Sequence, residues 1–161
     1  MSVTHLLDQA VAYVRSRFTK QELATVQPYA GEFNAAEIER VSYSCPAVLI
    51  TVLGWQPQGS GGRLQGRHVR RARLAAFVIT RQAKRELRMA EAMSLAERLA
   101  LAVTQWTPVQ SAAYDFGPVE GDPTAENLYS RAVDKEGQAL WIVSWEQCFV
   151  PRPDVSPTEL F

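Results

Sequence analysis

The side chains that most often perform chemistry in enzymes are few and scattered in this chain of 161 residues. Its two histidines are His5, in the first turn of a predicted helix, and His68, in a segment rich in glycine and arginine. A catalytic histidine requires a positioned nucleophile and an orienting partner, and no local motif supplies either. Cys45 and Cys148 stand far apart, without a CxxC or Cys/His pattern. We therefore predict no catalytic residue and no metal site, and we expect both cysteines to be buried as small hydrophobic residues.

Two further patterns resemble known sites but lack their essential parts. The glycine cluster at 59–62 has no Lys-Ser or Lys-Thr pair and is followed by a predicted strand, whereas a phosphate-binding loop contains that pair and opens a helix. The acidic residues Asp115, Glu120, Asp122 and Glu126 match no calcium-binding loop. We expect them to form a solvated acidic loop that could face the arginines of a neighbouring molecule. The sequence therefore predicts no cofactor and a protein that is not an enzyme.

The charges are balanced overall but segregated along the chain. Nine of the 17 Lys and Arg residues lie between Arg63 and Arg88, where Glu86 is the only acid, and the remaining eight share the chain with 16 acids. Such a basic centre in an acidic frame predicts a surface that binds something negative, and another copy of the chain would offer acidic faces. The candidate contact residues are Arg63, Arg67, Arg70, Arg71 and Arg73.

Three interpretations of this arginine stretch remain open. The arginines could neutralise phosphates in a nucleic-acid-binding module, form ion pairs across a protein interface, or remain on a solvated hairpin. Recognition of single strands or RNA usually adds aromatic rings for stacking, and no Phe, Tyr or Trp lies between Trp55 and Phe77. The protein interface is therefore the favoured interpretation.

The elements that must position these residues can be predicted from apolar periodicity. Helices are expected at 3–18 and 85–106, the second with Met93 on its buried stripe and Arg88 facing away. Strands are expected at 47–53, 69–80 and 138–150, with weaker candidates at 37–44 and 127–133. Glycines and prolines predict a loop at 115–124. Trp141 and Trp145 share one strand face, either as core residues or as an oligomer contact.

The order of elements predicts one α+β domain over 1–150, with a mainly antiparallel sheet and flanking helices. Arginines fall on both faces of residues 70–73, and unpaired arginines cannot lie inside a core. We therefore predict a projecting β-hairpin arm at about 54–73. Residues 151–161 carry three prolines and are expected to form an extended tail. With no signal peptide and no apolar run of membrane-spanning length, the cytoplasm or a particle assembled there is the expected location.

The segment at 126–147, ENLYSRAVDKEGQALWIVSWEQ, resembles the C-terminal signature of a Mu-like phage and prophage protein family. That family is placed among the tail-terminator-like, or minor tail, proteins. The helical segment at 92–103 and the order of elements over 1–150 are also similar to it. The signature residues of most interest are Asn127, Tyr129, Trp141, Trp145 and Glu146.

The resemblance implies a structural role without catalytic residues. Tail terminators form a homo-oligomeric ring, typically of six copies, that caps the tail tube and provides the surface to which the filled head docks. The implied partners are the tube protein, the head–tail connector protein and the genome DNA that passes through the lumen without specific binding. The implied fold is a small α/β sandwich, and the implied location is the head-proximal end of the virion tail, after assembly in the host cytoplasm. A tail-completion or head–tail connector protein is the alternative within phage tails, and a basic-arm nucleic-acid-binding module is the alternative outside them.

Overall fold

The computed structural model describes residues 2–29, 43–58, 63–64, 67–109 and 115–150. The predicted tail at 151–161 and most of the candidate strand at 37–44 lie outside these residues. The described elements, in chain order, are α1 (Ser2–Arg17), β1 (Thr25–Pro28), β2 (Ala47–Pro57), β3 (Arg63–Leu64), β4 (Arg67–His68), β5 (Arg70–Thr80), α2 (Arg85–Thr104), β6 (Asp115–Asn127), α3 (Arg131–Lys135) and β7 (Ala139–Val150).

Five of the strands form one sheet in the order β1-β2-β5-β7-β6. β1 runs parallel to β2, and the other three pairings in this sheet are antiparallel. The apolar runs at 47–53 and 74–80 are neighbours in the centre of the sheet, which is where continuous hydrophobic segments are expected. The structure therefore confirms the predicted α+β class with a mainly antiparallel sheet and flanking helices.

One face of the sheet, here called the helix face, packs against α1 and α2. Helix α1 lies over β1 and β2, and α2 lies over β5, β7 and β6. The two helices are joined by Tyr13, whose hydroxyl donates to the carbonyl of Ala102 at 2.6 Å and whose ring stacks on Trp106 at 5.3 Å. No helix in the part of the chain that the structure describes is long and apolar enough to span a membrane.

The opposite face, here called the outer face, is apolar at one end and polar at the other. Near the start of β2, the side chains of Phe77 and Ile142 pack with Tyr29 and with Val133 of α3. Toward the hairpin between β2 and β5, the same face carries Arg71 and other charged or polar side chains. The alternation predicted for residues 138–150 is therefore confirmed, with a core face and a partly solvated face.

The prediction of a loop at 115–124 is wrong, because these residues belong to the edge strand β6. Proline and glycine are poorly tolerated in central strands, but an edge strand bonds on one side only. Among the strands that the structure describes, β6 pairs only with β7, and its register shifts twice, between Phe116 and Val119 and between Glu120 and Thr124. These irregularities accommodate the prolines and glycines that indicated a loop.

The prediction that residues 70–73 project from the body is also wrong. β5 pairs with β2 on one side, up to Arg70 opposite Pro57, and with β7 on the other, up to Arg70 opposite Phe149. The arginines are tolerated there because the outer face is polar at this end and offers them carboxylates. The β2–β5 hairpin does continue beyond the sheet, since Gln58 donates to the carbonyl of Val69 and β3 pairs with β4.

The structure also corrects the predictions for Arg88, Met93 and the strand at 127–133. Arg88 is buried rather than facing away, and its guanidinium donates to the carboxylate of Asp134 at 2.8 Å. Met93 is exposed, and Leu95 takes a buried position on α2 instead. Of the predicted strand at 127–133, only Asn127 lies in a strand, as the last residue of β6, and residues 131–133 belong to α3. The side chain of Ser130 accepts from the backbone N–H of Val133 and caps this helix.

Candidate partner-binding surface

The polar half of the outer face contains a small network of charges around Arg71. Because alternate residues of a strand share a face, Arg71 of β5 lies beside Cys148 and Glu146 of β7, and Glu120 of β6 lies beyond them. The Nε atom of Arg71 is 3.1 Å from Glu120 Oε2, and its Nη1 atom is 3.6 Å from Glu146 Oε2. Arg71 thus neutralises two carboxylates that face each other across the β6–β7 pair.

The pKa shifts within this network favour a charged Arg71 and a neutral Cys148. Glu120 raises the pKa of the Arg71 guanidinium above its ordinary value. Cys148 donates to Glu120 Oε1 at 2.9 Å, and burial together with this carboxylate raises the pKa of the thiol to about 11. Burial also raises the pKa of Cys45. Since the thiolate is the nucleophilic form of cysteine, both thiols are poorly activated near neutral pH.

The structure separates the five arginines that the sequence singles out. Arg71 is paired within its own chain, whereas Arg73 is exposed and has no ion pair within the described residues. Arg70, the first residue of β5, is half-buried and pairs at the hairpin end of the sheet. Arg63 and Arg67 belong to β3 and β4, and their side chains lie outside the description. Of these five arginines, Arg73 is therefore the one whose described side chain is most accessible to a partner.

The backbone beside Arg73 is irregular. The register of β2 against β5 shifts between Val52 and Gly54, so that Leu53 is an extra residue and Arg73 pairs with Gly54. Gly54 has a φ of +157°, which residues with a side chain rarely adopt. Such bulges bend a strand and redirect neighbouring side chains. Here Leu53 is left exposed at the edge of the sheet.

Two signature residues on β7 lie in different environments: Trp145 packs in the core, and Glu146 contacts Arg71. Trp145 is buried on the helix face, and its indole N–H donates to Gln147 Oε1 at 2.8 Å. Gln147 is completely buried and donates in turn to the carbonyl of Gly117, within the first register shift of β6. Glu146, between them in sequence, points to the outer face and to Arg71. For Trp145 the core interpretation is the correct one.

The other signature residues gather at the opposite end of the strands. Asn127, Tyr129 and Trp141 line a small depression beside Met89 of α2. The guanidinium of Arg85 lies 5.7 Å from the centre of the Tyr129 ring and also pairs with Asp134 at 3.3 Å. The signature is thus divided between two structural positions. Ser130 is the N-cap of α3, and a serine at this position is the sequence signal that could have predicted a helix here instead of a strand.

Side chains that could perform catalysis remain dispersed in the described structure. Among the described residues, no three His, Cys, Asp or Glu side chains gather in a geometry that could hold a metal ion. A cleft of about 330 Å³ between α1 and the segment after α2 carries no carboxylate, cysteine, histidine or basic side chain; it is lined by Gln9, Ala12, Tyr13, Trp106, Thr107 and Val109. The chemistry that the described surface offers is ion pairing and apolar contact.

Comparison with known proteins gives the context for this surface. No individually curated protein sequence matches the chain. The family model described as "Bacteriophage Mu, Gp37" matches residues 4–150, which include nearly all of the described elements and the signature at 126–147. The chain therefore belongs to the bacteriophage Mu Gp37 family and with it to the structural, tail-type proteins of the phage particle.

Proposed function

We propose that this protein is a tail terminator, which forms a ring that caps the tail tube and presents the surface to which the head docks. The observation that carries the proposal is the separation of opposite charges within the folded chain. The end of the sheet at the β2–β5 hairpin carries Arg70 and Arg73 on β5. The edge strand β6 carries Asp122 and Glu126. Membership of a tail-type phage protein family supports an assembly in which these charges pair between copies.

The physical argument concerns how identical subunits close a ring. A cyclic ring uses head-to-tail contacts, in which one surface of a subunit binds a different surface of the next. Two surfaces of opposite charge on one chain complement each other and disfavour incorrect pairings of like charge. The formal net charge of zero means that such contacts add no overall repulsion as copies accumulate. We expect six copies in the ring.

The first experiment measures assembly of the purified chain. Native mass spectrometry should detect a closed oligomer, and electron microscopy should show the chain bound at one end only of purified tail tubes. A chain that stays monomeric at high concentration and also fails to join a tail tube would refute the terminator role. Binding to the head connector without binding to the tube would indicate a connector protein instead.

The second experiment tests the arginines. Arg70→Glu with Arg73→Glu should weaken ring formation strongly without unfolding the subunit, because both side chains lie on the surface or at its margin. Arg70→Gln with Arg73→Gln should act in the same direction and avoids a new glutamate opposite Glu146. The matched control is Lys20→Gln with Arg131→Gln, which removes two exposed charges elsewhere. Unchanged rings in both arginine variants would remove these residues from the assembly contact.

A further inference from the structure

Among the described residues, one edge of the sheet has no neighbouring strand along most of its length. β1 pairs with β2 only from Ala47 to Ile50. Residues 51–57 of β2 pair with β5 on one side, and no strand in the described part of the chain pairs with them on the other. Leu53 and Trp55 lie in this segment with 48% and 49% of their surfaces exposed. We call residues 51–57 the open edge.

The open edge lacks the features by which monomeric proteins protect exposed strands. Natural edge strands are usually short, interrupted by proline or occupied by charged side chains, because unpaired strands aggregate. The open edge contains no charged residue, and its single proline is the last residue, Pro57. The ring of Trp55 packs edge-on against the ring of Phe149, with 6.3 Å between their centres. Tryptophans are enriched among the residues that contribute most to binding at protein interfaces.

The opposite edge of the same sheet has complementary chemistry. β6 presents Asp122 and Glu126 to solvent, and neither has an ion pair within the described residues. Pro123 and the exposed Ala125 lie between them and provide apolar surface. β5, immediately behind the open edge, carries the exposed Arg73, which has no ion pair among the described residues. One edge therefore combines apolar residues with a basic side chain, and the other combines apolar residues with acidic ones.

We propose that the open edge of one copy binds the β6 edge of a second copy of this chain. The proposal rests on the ring function proposed above and identifies its contact surfaces. β2 and β6 are separated by β5 and β7, so the two edges of one copy lie about 14 Å apart, three times the spacing of neighbouring strands. The β6 edge therefore cannot reach the open edge of its own copy, and pairing with the next copy leaves one free edge at each end until the ring closes.

The contact is made by side chains rather than by a continuous sheet across copies. β6 carries Pro118 and Pro123 and two register shifts, so its outer side cannot offer a regular row of N–H donors. Leu53 and Trp55 instead pack against the small apolar side chains of β6, while Asp122 and Glu126 lie near Arg73. This arrangement has the organisation of a typical interface, with an apolar centre and charged groups around it.

The test places a charge at the centre of the proposed contact. Leu53→Lys should raise the apparent dissociation constant between copies by about 30-fold or more, because a desolvated ammonium replaces a central apolar contact. The control is Leu101→Lys, which changes an exposed leucine (62%) on the outer side of α2. Analytical ultracentrifugation measures assembly, and circular dichroism establishes that each variant folds. If the two variants assemble equally well, the open edge is not the contact.

A second pair of variants tests which surfaces meet. Asp122→Arg with Glu126→Arg should also prevent ring formation. When these copies are mixed with Leu53→Lys copies, one intact pair of surfaces remains, so heterodimers should form but not rings. A two-fold contact between two open edges predicts no heterodimer and retained assembly of the Asp122/Glu126 variant, which would overturn the proposal. If the unmodified chain forms no oligomer at all, the ring function itself fails; if it forms rings that these variants leave intact, only the assignment of the surfaces fails.

Discussion

Strand β6 carries two prolines, two register shifts and exposed acidic residues along one edge of the sheet, whereas the open edge carries Leu53 and Trp55 and no charge. Both edges belong to the same sheet and both lack a neighbouring strand over much of their described length. The features of β6 are those by which soluble proteins prevent pairing of strand edges. The open edge would be a liability in a chain that functions alone.

The contact proposed above gives the two edges different roles in the assembly. An edge protected by proline, bulges and charge can stay at a surface or make contacts only through its side chains. An unprotected apolar edge is stable over time only when something covers it. The asymmetry between the edges is thus a physical reason to expect assembly with a defined direction.

The largest loss of stability is expected from breaking the hydrogen bonds that hold β6 against β7. Gln147→Ala removes the acceptor of the Trp145 indole and the donor to Gly117, and it leaves a cavity at a completely buried position. We expect the free energy of unfolding to fall by about 3 kcal/mol, since lost buried hydrogen bonds and a cavity act together. Urea denaturation measures the change.

The matched control is Gln56→Ala on the open edge. Gln56 is exposed at a sheet edge, so we expect its replacement to change stability by less than about 0.5 kcal/mol. Equal losses in the two variants would contradict the idea that β6 is held in place by specific bonds while the open edge is not.

The contrast between the edges also explains what could be predicted from sequence. The central strands β5 and β7 were predictable because apolar residues dominate the first and alternate along the second. β6 was not, because its prolines and glycines carry the local signal of a loop, while its strand conformation depends on pairing with β7. Local sequence patterns do not report on such distant pairing.

The candidate surface was predictable to a similar degree. Charge counting located the arginine stretch, and strand alternation places Arg71 and Arg73 on one face. The ion pair of Arg71 depends on Glu120, a residue of β6 for which the sequence predicts a loop. Arg88 was misassigned for the same reason, because a helical pattern does not reveal Asp134, which lies 46 residues away and pairs with it.

A smaller effect is expected from changing the turn inside β6. Gly121 has a φ of +65° within the second register shift, and the space around its missing side chain is open. Gly121→Ala should therefore lower the free energy of unfolding by about 1 kcal/mol through backbone strain alone. Gly121→Asn should cost less, because asparagine tolerates this conformation better than alanine. Thermal unfolding compares the two, and the opposite order would show that steric contact, rather than backbone conformation, decides at this position.

The smallest effect on stability is expected from the ionisation of Cys148, whose thiol contacts Glu120 of β6. Burial and Glu120 raise the pKa of Cys148 to about 11 from an ordinary value of 9.0, so the folded chain holds this proton more tightly than the unfolded chain does. The resulting stabilisation is complete below pH 9 and is lost as the pH rises toward 11.

Glu120→Gln should lower the pKa of Cys148 and accelerate its alkylation by iodoacetamide at pH 8.5, because the rate follows the thiolate fraction. Arg71→Gln should have the opposite effect, since this guanidinium lowers the pKa of the same thiol. Cys45 provides an internal reference in each sample when peptides are quantified by mass spectrometry. If both variants changed the rate in the same direction, access to the thiol rather than its charge environment would control the reaction, and β6 would be more mobile than its contacts with Gln147 and Arg71 imply.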